Sequence, residues 1–307
     1  MKNILMIIIA ITCHSAVATT YDCTKTNVGM ILPLKHKSLD LIADGFKMAL
    51  TGQCPNSKIS IKNAYGDMLS QSMLIKQFSN DSKIDYVVTI GTVAAQMASS
   101  ISKKPILALA ANKEVIQNDN MYFVSDELPA NIVSDFLTSL MPNINQITII
   151  HSMNDKVHKE LKAIELALGE HNVTLQKLSV NNISDIYRVV NQISVRSDLV
   201  LMLKDHVVVS AVPLLHQHTM RKDIPLVSLD EGSVKSGADL GIGVIESEIG
   251  EKGAKLIMSF NKPKITTMKN LTVFYHNKTK QISVVTKAMT YAQNMNYQTL
   301  EVIGGHI

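Results

Sequence analysis

Short runs rich in Val, Ile and Leu recur along this chain, each followed by a stretch whose apolar residues fall at helical spacing, and that alternation leaves few folds open. A strand buried on both faces reads as a continuous apolar run, and its parallel neighbour is reached only through a crossover, usually a helix. The pattern predicts strands at 27–32, 58–63, 86–90, 106–110, 146–151, 174–179, 199–203, 226–228 and 240–245. Helices are predicted at 38–50, 71–79, 92–100, 132–140, 156–168, 185–192, 207–218 and 249–260, with Gly, Pro, Asn and Asp in the connections. The fold class that follows is α/β with doubly wound parallel sheets. The pattern restarts near Met121, after a polar run from Asn112 to Asn120, so two such lobes with a cleft between them are expected.

The first residues carry a different signal. Lys2 precedes an almost wholly apolar stretch at 4–11, and Ala16, Val17 and Ala18 have the small-x-small form of a cleavage site. Export to the periplasm is expected, with residues 1–18 removed and the mature chain starting at Thr19. Lipid attachment at Cys13 is the rival, but Ala10, Ile11 and Thr12 match the usual sequence before a lipidated cysteine poorly. The formal charge of +4 is small and scattered, and 5% aromatics with no Trp gives few stacking platforms, so no nucleic-acid partner is expected. Cys23 and Cys54 each just precede one of the first two predicted strands, which puts both at the same end of a parallel sheet. In an oxidising compartment they are expected to pair as a disulfide staple, since two isolated thiols do not make a metal site.

In open parallel sheets the ligand crevice lies beyond the carboxyl ends of the strands. The residues there include Leu34, Asp67, Gly91, Thr92, Val93, Asn112, Ser152, Asp205 and Asp230. The segment YVVTIGTVAAQMA runs from a strand straight into a helix. Gly91 permits the tight turn, the Thr92 hydroxyl is placed to cap the helix, and small Val93, Ala94 and Ala95 leave the first amides open. Free N–H groups at the positive end of a helix dipole favour a carboxylate. A ligand ammonium is expected on Asp205 or Asp230, so the set suits a zwitterion. His216 and His218 point to different helix faces and nothing completes a set with His206, so no metal is expected. The sequence has no G-x-G-x-x-G after the first strand, no phosphate-binding G-x-x-x-x-G-K-S/T and no G-x-S-x-G. No cofactor and no catalytic residue are therefore expected.

The ordered segments NAYGDM, YVVTIGTVAAQMA, KPILALA, IPLVSLDEGSVKSGADLGIG and IGEKGAKLIM resemble the type I periplasmic binding proteins that serve ABC importers, in the branch associated with aromatic amino acids. Asn63, Ala64, Tyr65, Gly66 and Asp67 follow the N-A-Q-G-D of that family. The resemblance implies two lobes joined by three crossovers, near 112–120, 245–248 and 270–274. The lobes would comprise 19–118 with 246–271, and 119–245 with 272–307. It also implies that Thr92, Val93 and Ala94 hold a ligand carboxylate, with Asp205 near the amine and Asp230 opening a further motif. Departures are present: Asn112, Lys113 and Glu114 stand where T-D-P is common, and Val244 and Ile245 replace a frequent aromatic pair. The expected function is capture of a small molecule, an amino acid with aromatic ones favoured, and its delivery to an ABC permease. A ligand-sensing adaptor of the same fold, or an enzyme acting in the cleft, are the alternatives. Intact mass spectrometry of exported protein checks the processing: the expected mass starts at Thr19, lacks acyl chains and is short by two hydrogens for a Cys23–Cys54 bond. Lipid on Cys13 or two alkylatable thiols would contradict it.

Overall fold

The computed structural model describes residues 25–112, 116, 118–153, 155–258 and 265–303. The first lobe opens with β1 (Val28–Leu32), α1 (Lys37–Gln53), β2 (Ile59–Asn63), α2 (Met68–Asn80), β3 (Tyr86–Ile90), α3 (Thr92–Ile101), β4 (Ile106–Leu109) and β5 (Met121–Ser125). The second lobe follows with α4 (Ala130–Leu140), β6 (Gln146–Ser152), α5 (Asp155–Gly169), β7 (Thr174–Val180), α6 (Ile183–Val189), β8 (Leu199–Met202), α7 (His206–Val209), α8 (Val212–Arg221), β9 (Leu226–Ser228), α9 (Glu231–Lys235) and β10 (Leu240–Gly243). The chain then returns to the first lobe for α10 (Glu246–Ile257) and β11 (Ile265–Thr267). It ends in the second with β12 (Thr272–His276), α11 (Ile282–Asn294) and β13 (Gln298–Val302).

Two sheets result, ordered β11-β5-β4-β3-β1-β2 and β13-β12-β10-β9-β8-β6-β7. The first is parallel throughout. The second is parallel except where β12 runs against β10. Each sheet is covered on both faces by helices, with separate apolar clusters on either side. The expected α/β architecture of two doubly wound lobes is the one observed.

Several boundaries differ from expectation. Met121–Ser125 is the fifth strand of the first sheet, pairing in parallel with β4 and β11, so the pattern does not restart there. The first crossover accordingly lies at 126–129 instead of 112–120, and 119–125 belong to the first lobe. The other two fall at 244–245 and 268–271, within a few residues of expectation. The helix expected at 207–218 is split in two, because Pro213 lacks an N–H and is accommodated only in the first turn of a new helix, α8. Phe260, the expected end of α10, lies outside the described residues, as does Cys23. Cys54 ends α1, is fully buried with its Sγ 3.4 Å from Met258 Sδ, and is disulfide-bonded.

What returns the chain to the first lobe is a close contact between α1 and α10. A Cβ on Gly250 would sit 2.0 Å from the Ile42 carbonyl oxygen and 2.4 Å from the Phe46 nitrogen, and one on Gly45 would sit 2.0 Å from the Ser247 carbonyl oxygen. Backbone meets backbone at both points, so no side-chain rotation relieves an added methyl. Gly250→Ala should destabilise the protein by about 3 kcal/mol, the upper end of overpacking costs, despite the ~1 kcal/mol that Ala gains in helix propensity. A lower urea midpoint with unchanged slope would show it; an unchanged midpoint would contradict the close packing.

Candidate functional site

The buried strand β3 ends at Gly91, whose φ of 89° and ψ of 152° belong to a region essentially reserved for glycine. Gly91 is the N-cap of α3, and no side chain caps that helix. The Thr92 hydroxyl, expected to cap, is instead buried inside the first turn and accepts the Asn112 N–H at 3.1 Å, tying the end of β4 to α3. The first-turn amides of Thr92, Val93 and Ala94 therefore keep the outward direction of any uncapped helix start. These residues line a cavity of about 110 Å³ whose opposite wall is Val157, Lys204 and His206 of the second lobe.

A second cavity of about 130 Å³ shares Pro33, Leu34, Ile90, Gly91, Lys204 and His206 with the first, and adds His36, Ser38, Asp126, Asp230 and Glu246. Leu39, Ile42 and Val209 give it apolar walls. A third, of about 240 Å³, lies beyond Asp126 and Lys204 among Asn112, Glu127, Lys159 and Glu160. All three cavities lie between the lobes, and Lys204 lines every one.

Lys204 sits just past β8, and its ammonium donates to the carbonyl oxygen of Asp126 at 2.9 Å and to the Asp126 carboxylate. Asp126 is in the first crossover, so this pair links the second lobe to a connecting strand. Burial is the largest single influence and depresses the lysine, but the Asp126 carboxylate, Glu160 and Asp230 together outweigh it, and the ammonium is held above its ordinary range.

Asp230 is the N-cap of α9. Its Oδ1 accepts the Ser233 N–H at 2.6 Å and the Ser38 hydroxyl at 2.9 Å, while Oδ2 accepts the Ser233 hydroxyl at 2.7 Å. The Ser38 bond spans the lobes. Gly232 makes room for it, since a Cβ there would lie 2.3 Å from both the nitrogen and the hydroxyl of Ser38. Glu246 opens α10, is 4% exposed, and has no partner for Oε2 among the described residues. Burial first, and then Asp230 and Glu231, push its carboxyl well above the usual range against weaker opposition from Ser38 and Lys204. His36 caps α1 by accepting the Ser38 N–H on Nδ1, and its buried Nε2 is unpartnered among the described residues. Burial holds the ring below its ordinary pKa, although Asp230 and Asp40 oppose it.

Leu34, Gly91, Thr92, Val93, Ala94, Asn112 and Asp230 thus line the cavities between the lobes. Three others do not. Asp67 is an exposed N-cap of α2, with Oδ1 on the Ser70 N–H at 2.5 Å; the Ser70 backbone and side chain hold its carboxyl below the usual range. Asp205 is 1% exposed and spends one oxygen on the Ser152 N–H at 2.5 Å and the other on the Val207 N–H at 3.0 Å. Asp205 and Ser152 therefore bind each other behind the cavity walls, and the ammonium role assigned to Asp205 loses its geometry. His36, Asp126, Lys204 and Glu246 also border these cavities, and none of them is among the residues expected to bind ligand. Lys204 and Asp205 are adjacent past one strand, and only packing decides which of them faces the cleft. Among the described residues no three His, Cys, Asp or Glu side chains gather to hold a metal ion.

Residues 27–264 match the family of ABC transporter substrate binding proteins. The chain belongs to that family. An uncharacterized protein of Rickettsia prowazekii (strain Madrid E) is 33% identical over 268 residues, covering 85% of this chain and 86% of the relative. A tyrosine-binding protein of Clostridioides difficile (strain R20291) is 24% identical over 245 residues, covering 75% and 71%. Among solved structures, an ABC domain from Streptococcus pneumonia in complex with L-Trp superposes with a TM-score of 0.75 at 20% identity, covering 90% of this chain and 100% of that one. The fold of this substrate-binding protein is the type I periplasmic-binding-protein kind.

The arrangement around Asp205 yields a direct expectation. An amide at this position turns an N–H₂ toward one of two buried backbone donors, and an unsatisfied buried group costs about 1–3 kcal/mol. Asp205→Asn should therefore lower stability by that amount in chemical denaturation while leaving ligand affinity within about threefold, because a residue outside the binding shell costs little in binding. A large loss of affinity in a protein of unchanged stability would restore Asp205 to the site.

Proposed function

We propose that this substrate-binding protein captures an amino acid in its interlobe cleft, aromatic ones favoured, and delivers it to an ABC permease. The observation that carries the reading is the uncapped start of α3, with Thr92, Val93 and Ala94 bordering a cavity closed on its other side by the second lobe. Backbone amides at a helix start bind a carboxylate without a basic side chain. Acidic residues border the adjoining cavity, which suits the ammonium of the same ligand, and Leu34, Leu39, Ile42 and Ile90 offer apolar surface to a side chain. The tyrosine-binding relative and the L-Trp-bound structure support the choice of ligand class.

Contacts from both lobes are satisfied together only when the cleft is closed, so ligand shifts the hinge equilibrium toward closure. The closed surface is what a permease recognises, and the ligand leaves unchanged: the protein is a carrier, not an enzyme. Export past a signal peptide cut after Ala18 and a Cys23–Cys54 disulfide complete the reading.

A thermal-shift panel tests it, using the twenty amino acids together with tyramine, tryptamine, 3-(4-hydroxyphenyl)propionate and indole-3-propionate. Ligand at a hundredfold excess over Kd stabilises by about 2.7 kcal/mol and should raise Tm by several degrees. At least one amino acid is expected to do so, and its decarboxylated amine should not match it. Equal shifts from amines and amino acids would remove the carboxylate site at α3.

A further inference from the structure

On the amino-acid reading the ligand ammonium is expected on Asp205 or Asp230, but Asp205 is committed to backbone amides and Asp230 already accepts three hydrogen bonds, and the structure offers a further acceptor. Glu246 is the first residue of α10, directly after the second crossover. Its side chain is buried, its Oε2 has no partner among the described residues, and it borders the cavity shared with His36, Ser38, Asp230 and Lys204. The groups around it come from three elements. From α9, Glu231 accepts the Glu246 N–H at 3.0 Å and pairs with Lys235, while Asp230 adds a second negative charge. From the end of β8, Lys204 is already bonded to Asp126. From α1, the Ser38 hydroxyl reaches Glu246 but also donates to Asp230 at 2.9 Å, and one proton cannot serve two carboxylates.

A buried carboxylate with two acidic neighbours and an open acceptor lacks one positive charge and one donor. We propose that Glu246 is the ammonium-binding residue of the cleft: a protonated ligand amine donates to Glu246 Oε2, with the Asp230 carboxylate beside it and the Ser38 oxygen able to accept. The bound cation would join α1, α9 and the second crossover at one point. His36 supports the same orientation. Its Nδ1 already accepts, so the neutral ring carries its proton on Nε2, a second buried group awaiting a ligand, in this case an acceptor.

A proton balance follows. Without ligand, burial and the charges of Asp230 and Glu231 favour the protonated Glu246, and an incoming ammonium favours the ionised one, so binding releases a proton. Affinity for amines should fall as pH drops through the raised pKa of Glu246, approaching tenfold per pH unit below it. His36, Asp230, Glu231 and Lys204 face the same point, and the variant below separates their contributions from that of Glu246.

Calorimetry on the full-length mature protein tests this with two trios: L-tryptophan, tryptamine and indole-3-propionate, then L-tyrosine, tyramine and 3-(4-hydroxyphenyl)propionate. Glu246→Gln should weaken amino acid and amine by about 30-fold or more, leave the des-amino acid within about threefold, and abolish the pH dependence of amine binding. Glu246→Asp, which keeps the charge, should retain a preference for amino acid over des-amino acid, and it serves also if the Gln variant does not fold. Unchanged amino-acid affinity in Glu246→Gln, equal loss of the des-amino acid, or loss of the preference in Glu246→Asp would each overturn the assignment. Amine binding as tight as amino-acid binding in the native protein, still lost in Glu246→Gln, would remove the carboxylate site at α3 while upholding Glu246. No binding of either trio by the native protein would overturn both.

Discussion

A parallel sheet sends all its strands toward one edge, and in this protein that constraint decides where chemistry can gather. Every crossover helix must start beyond the same edge, so helix N-termini, glycine turns and N-cap carboxylates collect there in each lobe. Gly91 before α3 and Asp230 before α9 are instances from opposite lobes, and cavities between the lobes are bordered by both. The cleft is thus a product of topology before any side chain specialises it. What specialises it is burial: Lys204 with Asp126, and Asp230 with Ser38, are polar contacts made where little water reaches.

Holding two such edges in opposition requires the connecting strands to be anchored. The contact of α1 with α10 through Gly45 and Gly250 fixes the second crossover against the first lobe at backbone distance. Glu246 begins α10, so its position in the cleft is set by that helix packing and not by a loop. At the first crossover, Asp126 is fixed by Lys204 from the other lobe. The first crossover and the start of the helix after the second thus each bring a charged residue to the cavity, and a ligand bound there touches parts that must bend.

Most of the fold was legible in the sequence because a strand buried on both faces has a plain signature. β1, β3, β6 and β8 are such runs, and all were located. β11 was not, being a three-residue, half-exposed edge strand, and β5 was seen as a new beginning because a polar stretch precedes it. The site was legible at the level of strand ends but not of single residues. Lys204 and Asp205 follow the same strand, yet one side chain meets the cavity and the other turns back to Ser152 and Val207. Glu246 carried no signal at all, since a glutamate in a first helical turn is what the helix dipole favours anyway.

The interleaving of the lobes also bears on the order in which the chain can acquire its structure. The first sheet gains its edge strand β11 only after the second lobe has passed, and the apolar face under α1 is covered by α10 at the same late stage. The second sheet in turn needs β12 and β13, the last strands of all. Neither lobe can close its core while the chain is still emerging, although domains usually fold as units, N-terminal first. A chain built in this order stays open until α11 and β13 arrive, and the two lobes then become complete almost together.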